Sequence, residues 1–482
     1  MTQLQLAASH YESDGAGDGI KSLINYYPEI NPQDPARPVR LATTPGSRLI
    51  DNASTLTTGV RGLFQADGFA SGDLIILDGT ALRRMDTDAE TFSTITGTVA
   101  GTDRAQAAFA ETQAAFLANG ALYVSAAAGS TVAAASDADW ATLLSDHGES
   151  AFSSITTMGQ RLIASYGSRF AFSTTLEFNT TTTLSYYTAE SAPDGIVCIF
   201  ALGSVLLVCG TQTIEPWIQT GDNDDPFRPL VGQVINRGVA ARDTVVKLDN
   251  TLFFIADDRT VRRMDGQVPT ILNEQDPWVT RLIKSVDAST LICSAIETEG
   301  HSFYVINAAT FCIVYDVSTG TWHKRNTNSQ TTWEYAFHVR KAATHYAGSR
   351  LAARLSELSR SLYSDNMADA DTYGTAIIRE FTAHMPVKDG RRAISAIRLE
   401  GTKGVGLASG QGSSPVVTMY QSRDKGLTFG TGRERSPGVQ GDYDARMVWR
   451  RCGRGEPEQL VFKFSVSDPV NFIPTAVRAN EV

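Results

Sequence analysis

The stretch Gly221-Asp222-Asn223-Asp224-Asp225-Pro226-Phe227 sets three carboxylates close together between two apolar runs. Such a cluster could hold a divalent cation, supply the acid pair of a glycosidase, or form nothing more than a turn. A calcium loop needs oxygen donors at its first, third and fifth positions, then Gly, and Glu at the twelfth. Counted from Asp222, those places fall on Asp222, Asp224, Pro226, Phe227 and Gln233, so the pattern fails after its second ligand. A glycosidase needs two carboxyl groups about 5–10 Å apart across a sugar, which neighbours on one turn do not establish. The expectation is a solvated Asx turn joining two strands, with Pro226 setting the exit.

A second candidate is Ser422-Arg423-Asp424-Lys425-Gly426-Leu427-Thr428-Phe429. It fits Ser-x-Asp-x-Gly-x-Thr-aromatic and resembles the Asp-box hairpin of sialidases and other β-propellers. Its chemistry is structural: Asp424 can accept bonds from turn amides, Gly426 can take a positive φ, and Phe429 can pack under the hairpin. The arginines of Asp389-Gly390-Arg391-Arg392 and Val448-Trp449-Arg450-Arg451-Cys452-Gly453-Arg454-Gly455 could bind a carboxylate, but nothing pairs them with a Tyr-Glu couple. His338 and His345 stand seven apart without a His-Glu-x-x-His pattern, so no zinc site is expected. Nucleophile elbow, phosphate loop and dinucleotide fingerprint are all missing. No catalytic, cofactor-binding or metal-binding residue is assigned, no cofactor is implied, and the chain is not expected to be an enzyme. Trp217, Trp278 and Trp322 lie in or beside strand-like segments and read as packing residues.

The elements that would position these residues are strands. The 482 residues are 42% apolar and 20% charged, a globular composition with room for more than one domain. The formal net charge of −10 is not the basic footprint of a protein that grips nucleic acid; it does not forbid DNA nearby, since an acidic wall repels phosphate and suits a passage and not a clamp. No apolar run approaches the roughly 18 residues of a membrane span, and no signal peptide is evident at the start. The five cysteines form no C-x-x-C pair and read as buried free thiols of a reducing compartment.

Short apolar runs recur, bounded by Gly, Asp, Asn or Ser: Asp73–Gly79, Ala121–Ala127, Arg161–Gly167, Val205–Gly210, Thr251–Asp257, Ser302–Ala308 and Phe311–Val317. Residues 103–120 are expected to form a short helix, and 351–362 a helix or a misread strand pair. One repeat stands out. Residues 72–86 and 250–265 each give an apolar strand, an Asp-containing turn and a hydrophobic residue before Arg-Arg-Met-Asp, with Met85 and Met264 offset by 179 residues. Taking Leu74, Leu122, Leu162, Val205, Leu252, Phe303 and Leu351 as starts, the gaps run from 40 to 51 residues. Propeller blades are about 40–50 residues long, which makes the offset four blades. A β-sandwich array is the competing arrangement. After about residue 370 the alternation changes, and a separate antiparallel sandwich or small barrel is expected. The tail beyond Pro474 reads as polar and frayed or docked on a neighbour.

Several segments together resemble the tail hub, or packaged-DNA stabilisation, family of short-tailed (podovirus) bacteriophages. Residues 22–32, 41–50 and 60–64 are similar to that family's opening. Residues 190–258 carry its order of S-x-P-D-x-I, G-x-x-T-x-E-x-W, the acidic turn, Arg237-Gly238 and Leu248-Asp249-Asn250, and 315–325 agrees. Residues 278–286 and 341–370 depart from the family pattern. The resemblance implies a mainly β protein, with an N-terminal arm and first strands over 1–60, a propeller of six to seven blades over 61–370, and a sandwich or barrel-like domain over 371–482. It also implies a structural virion protein of the tail, assembled in the host cytoplasm, that forms a closed hexameric ring or nozzle below the portal and its adaptor proteins. That ring would extend the channel for double-stranded DNA, retain the packaged genome until ejection, and dock a tailspike or fibre and a needle or plug. The alternative is a carbohydrate-active or glycan-binding propeller.

Overall fold

The computed structural model describes residues 2–12, 20–30, 34, 39–52, 54–110, 113–126, 129–189, 194–266, 268–328, 330–368, 374–385 and 390–480. The chain divides into two compact units, one of residues 50–296 and 335–355, the other of 1–49, 297–334 and 356–482.

The first unit is made of four-stranded antiparallel meanders. In chain order the sheets are Val60–Gln65, Leu74–Asp78, Ala81–Asp86 and Thr91–Thr98; Gln106–Phe109, Ala114–Ala118, Ala121–Ser125 and Val132–Ala134; Ser154–Met158, Arg161–Tyr166, Arg169–Phe172 and Tyr186–Thr188; Ile196–Leu202, Val205–Gly210, Ile214–Gln219 and Phe227–Pro229; and Val246–Leu248, Thr251–Ile255, Val261–Asp265 and Val268–Ile271. A sixth sheet is built on the hairpin Tyr335–Lys341 and Thr344–Ser349.

The second strand of each of the five complete sheets is buried nearly throughout. Because side chains alternate between faces, each such strand feeds two cores. Leu74 and Ile76 pack with Ala336 and Phe337, whereas Ile75 and Leu77 pack with Ala114 and Phe116. Ala115 and Leu117 join Leu162 and Ala164 on the next interface. Ile163 then joins Leu206 and Val208, and Leu207 and Cys209 join Leu252 and Phe254. Sheets therefore stack face to face in chain order. A strand covered on both faces has no polar side to show, which explains the unbroken apolar runs of the sequence.

The Arg-Arg-Met-Asp repeat fits this succession. Its copies occupy the second and third strands of the first and fifth sheets, four sheets apart, and Met85 and Met264 are both buried. In each copy the turn carboxylate takes an arginine of the third strand: Arg83 Nε donates to Asp78 at 3.0 Å, and Arg262 Nη2 to Asp258 at 2.9 Å.

The helix expected over 103–120 is instead the strands Gln106–Phe109 and Ala114–Ala118, paired from Gln106↔Leu117 to Phe109↔Ala114. Alanine favours a helix locally, but a pleated strand lets small side chains face both neighbouring sheets, and tertiary packing overrides propensity. The misreading also displaced one repeat start, since Leu122 lies in the third strand of its sheet and not the second. Leu351 begins no strand and is half-exposed; the strand of this region is Arg354–Ser359. Helices occur elsewhere. Ala138–Asp146 (α1) is capped by Asp137, whose carboxylate accepts from Asp139 N, and buries Trp140 and Leu143. Pro277–Lys284 (α2) starts on Pro277 and buries Trp278, Val279 and Ile283. It occupies the divergent 278–286 segment.

The second unit contains an antiparallel sandwich. Its strands run, in spatial order, Met447–Arg450, Ala396–Gly401, Pro474–Ala479, Thr2–Leu6, Arg379–His384, Val461–Val466, Val417–Ser422 and Arg433–Arg435. Thr2–Leu6 is a corner strand: Thr2–Leu4 pair with Val477–Ala479, and Gln5–Leu6 with Ala383–His384. Between the layers lie Leu4, Tyr26, Phe381, Ile397, Met419, Trp449, Phe462, Phe464 and Val477. The segment beyond Pro474 is thus an inner strand, not a frayed tail. Its alternation of buried Ala476, Val477 and Ala479 with Arg478 needed a partner from the other end of the chain to become readable. The hairpin of Cys312–Asp316 and Thr321–Lys324, with its Ser-Thr-Gly turn, also belongs to this unit, and its last strand pairs in parallel with Leu23–Ile24.

Candidate functional site

The acidic stretch is an exposed turn between the third and fourth strands of the fourth sheet. Asp222, Asp224 and Asp225 are exposed, while Pro226 and Phe227 are buried. Asp224 N donates to Asp222 Oδ1 at 2.9 Å, which is the expected Asx turn. Thr220 N closes the loop on Pro226 O at 2.9 Å. The third carboxylate is spent on packing: the Tyr187 hydroxyl donates to Asp225 and accepts from Phe227 N at 3.4 Å. Burial, then this bond, pushes the Tyr187 hydroxyl up to about 12. Arg161 Nη2 donates to Asn223 Oδ1 at 3.1 Å, so the neighbouring sheet also ties the turn. Among the described residues no group of three or more His, Cys, Asp or Glu side chains is placed to hold a metal ion.

The flanking motif residues are structural as well. Asp194 caps the next turn, accepting from Gln212 N at 2.7 Å and Thr213 N at 3.1 Å. Residues 190–193 of that motif lie outside the described residues. Glu215 is buried and takes Trp217 Nε1 at 3.4 Å. Arg237 reaches Asp257 at 3.3 Å and Asp258 at 3.4 Å, and the backbone of Gly238 lies against Thr211.

The Asp-box-like stretch forms the turn its residue types call for. Ser422 Oγ accepts from Gly426 N at 2.8 Å and donates to Asp424 Oδ1 at 2.6 Å, Thr428 N donates to Asp424 at 2.9 Å, and Gly426 has a φ of +91°. The Ser422 hydroxyl and then Thr428 hold the Asp424 carboxyl down at about 2. Phe429 is half-buried under Lys463, whose Nζ stands 5.0 Å from the ring centre. This turn follows the sandwich strand Val417–Ser422 and is not part of the stacked meanders. The nearby Arg450, Arg451 and Arg454 are exposed. His338 serves packing, with Nδ1 2.8 Å from Ser294 Oγ. Trp217, Trp278 and Trp322 are buried, and all five cysteines are buried free thiols.

Sequence reasoning missed a cavity of about 650 Å³ where the first strands of five successive sheets converge. Besides Phe64, Phe109 and other apolar groups and the neutral polar Gln65, Gln106, Thr156 and Thr157, it is faced by the charged Arg104, Arg242, Asp243 and Lys247. Arg242 Nε and Nη2 grip the Asp243 carboxylate at 3.1 and 3.2 Å. Arg242 also donates to the carbonyls of Arg104 at 2.9 Å and Ser153 at 3.4 Å, and Arg104 Nη1 donates to the Asp243 carbonyl at 3.1 Å. The network thus fastens the entries to the second, third and fifth sheets to one another. Nothing local marks it, because Arg104 and Arg242 are brought together only by closure of the successive sheets.

The sequence matches two family descriptions: "Bacteriophage P22 Gp10, beta-propeller" over residues 39–363 and "Bacteriophage P22 Gp10, beta-sandwich" over residues 378–480. No curated protein matches the chain. Solved structures share only a loose likeness. The computationally designed Ika8 protein is 11% identical, with a TM-score of 0.40 over 74% of this chain and 99% of its own. The extracellular domain of the one-component system BT4673 from B. thetaiotaomicron is 11% identical, with a TM-score of 0.42 over 75% and 54%. YCF48 from Cyanidioschyzon merolae is 8% identical, with a TM-score of 0.39 over 65% and 98%. A six-bladed β-propeller followed by a C-terminal β-sandwich, with turns that serve structure, agrees with the two family matches, and the chain belongs to the bacteriophage P22 Gp10 family, the tail hub or nozzle family of podoviruses.

Proposed function

We propose that this structural phage protein assembles into a closed hexameric ring below the portal and its adaptor. There it extends the DNA channel, retains the packaged genome, and docks a tailspike or fibre and a needle or plug. The observation that carries the reading is the pair of family matches, which spans the propeller and the sandwich in the family's order. Physical features support it. Both units are β-structures whose strands are covered or paired, which suits a mechanical part in a crowded assembly. The net charge of −10 suits a wall past which DNA slides.

Leu184, Val231 and Val268 are 86%, 91% and 74% exposed and lie in or beside the outermost strands of three successive sheets. Aliphatic side chains repeated along one set of sheet edges are what a subunit contact requires. The carbohydrate-active alternative loses its motif, because Asp424 belongs to the sandwich and not to the propeller.

Electron microscopy and native mass spectrometry of the protein from assembled particles test the proposal. A six-fold ring is expected. A strictly monomeric protein absent from virions overturns it.

A further inference from the structure

We propose that the cavity at the convergence of the propeller's first strands is a binding site for a small multivalent phosphate anion. Among the described residues that line it, the cations are Arg104, Arg242 and Lys247, and the only carboxylate is Asp243. The Asp243 carboxylate takes two bonds from Arg242 and lies 3.8 Å from Arg104 Nη1, so it offsets one of the three positive charges. Two positive charges remain in a pocket whose other lining residues are neutral, the apolar ones together with Gln65, Gln106, Thr156 and Thr157, in a chain of net charge −10. Arg104 is partly buried, so excess positive charge around it is costly to leave without a counter-ion, and an anion relieves that cost.

The donors are also arranged in advance. Arg104 commits a single N–H, from Nη1, to the Asp243 carbonyl; its Nε and Nη2 donate to no described residue. The guanidinium is held in place by that bond and by the Phe337 ring, whose centre is 5.5 Å away. Lys247 is exposed and makes no ion pair or hydrogen bond with a described residue. A planar fork with four unused N–H donors, on the same cavity as an ammonium with three, matches the oxygens of phosphate better than those of a single carboxylate. A space of about 650 Å³ exceeds what one orthophosphate fills and lies within the usual range of small-molecule sites. A phosphate carrying a second phosphoryl or an organic group is therefore the fitting ligand.

The test titrates the full chain at constant ionic strength with pyrophosphate and, in parallel, with a 5′-phosphorylated oligonucleotide. Saturable one-to-one binding of pyrophosphate is expected. Lys247→Glu should weaken it at least tenfold without moving the unfolding midpoint, and Lys247→Arg should retain it. Because Lys247 is exposed, Lys247→Gln offers a second variant should the charge reversal fail to fold. Sensitivity of pyrophosphate alone to these changes assigns a free anion. Sensitivity of both probes assigns the phosphate of a nucleic-acid strand. No saturable binding of either probe, or equal affinity in wild type and Lys247→Glu, overturns the site.

Discussion

Gly238 packs against the carbonyl of Thr211 so closely that a Cβ on Gly238 would stand 2.1 Å from both the carbon and the oxygen. The obstacle is backbone, which cannot swing aside as a side chain can. The contact seats the segment leading to the fifth sheet on the turn of the fourth: Val239 N donates to Gly210 O at 3.0 Å, and Asp257 N to Gly238 O at 3.1 Å. The Arg-Gly pair of the family pattern is thus a packing requirement between neighbouring blades.

Gly238→Ala is accordingly expected to destabilise the propeller by about 1–3 kcal/mol, the usual cost of overpacking. Chemical denaturation measures it. A variant as stable as wild type would mean that the Gly210–Thr211 turn moves freely.

Asp365 gives a pH signature. It is buried and accepts from Ser47 Oγ at 3.2 Å. Burial, then the Glu334 carboxylate, raises its carboxyl from 3.8 to about 7, against the opposing pull of Arg325 and Arg379. Between those two values the native state holds a proton that the unfolded chain has released, so stability falls as pH rises from about 4 to about 7. Asp365→Asn keeps the acceptor for Ser47 and removes the titration. It should stabilise the protein at pH 8, by on the order of a few kcal/mol, and have little effect at pH 4. Unfolding midpoints measured across that range decide it; a constant difference between variant and wild type would exclude Asp365 as the titrating group.

Some of this was readable in the sequence for a definite reason. Second strands such as Leu74–Asp78 and Val205–Gly210 are covered on both faces, and that burial writes a local apolar run between turn residues. The repeat ending at Met85 and Met264 survived because both copies fill equivalent strands four sheets apart. The acidic turn was legible too, since an Asx turn is made by neighbours in sequence. Ala114–Ala118 was not: a run of alanines carries a helical preference, and only the partners Leu162 and Phe69 across two interfaces show why it is a strand. The pairing of Thr2–Leu4 with Val477–Ala479 and the meeting of Arg104 with Asp243 depend on contacts far apart along the chain, which leave no local pattern.

The cysteines offer a probe of the native packing. Cys198, Cys209, Cys293, Cys312 and Cys452 are each at most 2% exposed, and Cys198 faces Cys209 across neighbouring strands. The hydrogen bond between them, and then burial, pushes the Cys198 thiol well up, which leaves little reactive thiolate. An aromatic disulfide reagent at pH 8 should therefore label no thiol faster than the protein unfolds, and all five in guanidinium. A thiol that reacts rapidly in the native protein would contradict the packing around it.

The last expectation concerns the acidic turn. If Asp222, Asp224 and Asp225 only shape a loop, Asn at all three positions keeps the acceptors used by Asp224 N and by the Tyr187 hydroxyl. The triple variant should then unfold within about 2 °C of wild type, as exposed substitutions generally do. Tyr187→Phe is the informative contrast, because it removes the hydroxyl that bridges Asp225 and Phe227 N on the half-buried side of the loop. It should cost about 1 kcal/mol. Calorimetric titration of wild type with calcium or magnesium should give no saturable heat that the triple variant lacks. A site-specific heat lost in the triple variant would make the cluster a cation site after all, whereas a loss of stability in Tyr187→Phe alone would place its role in holding the third and fourth sheets together.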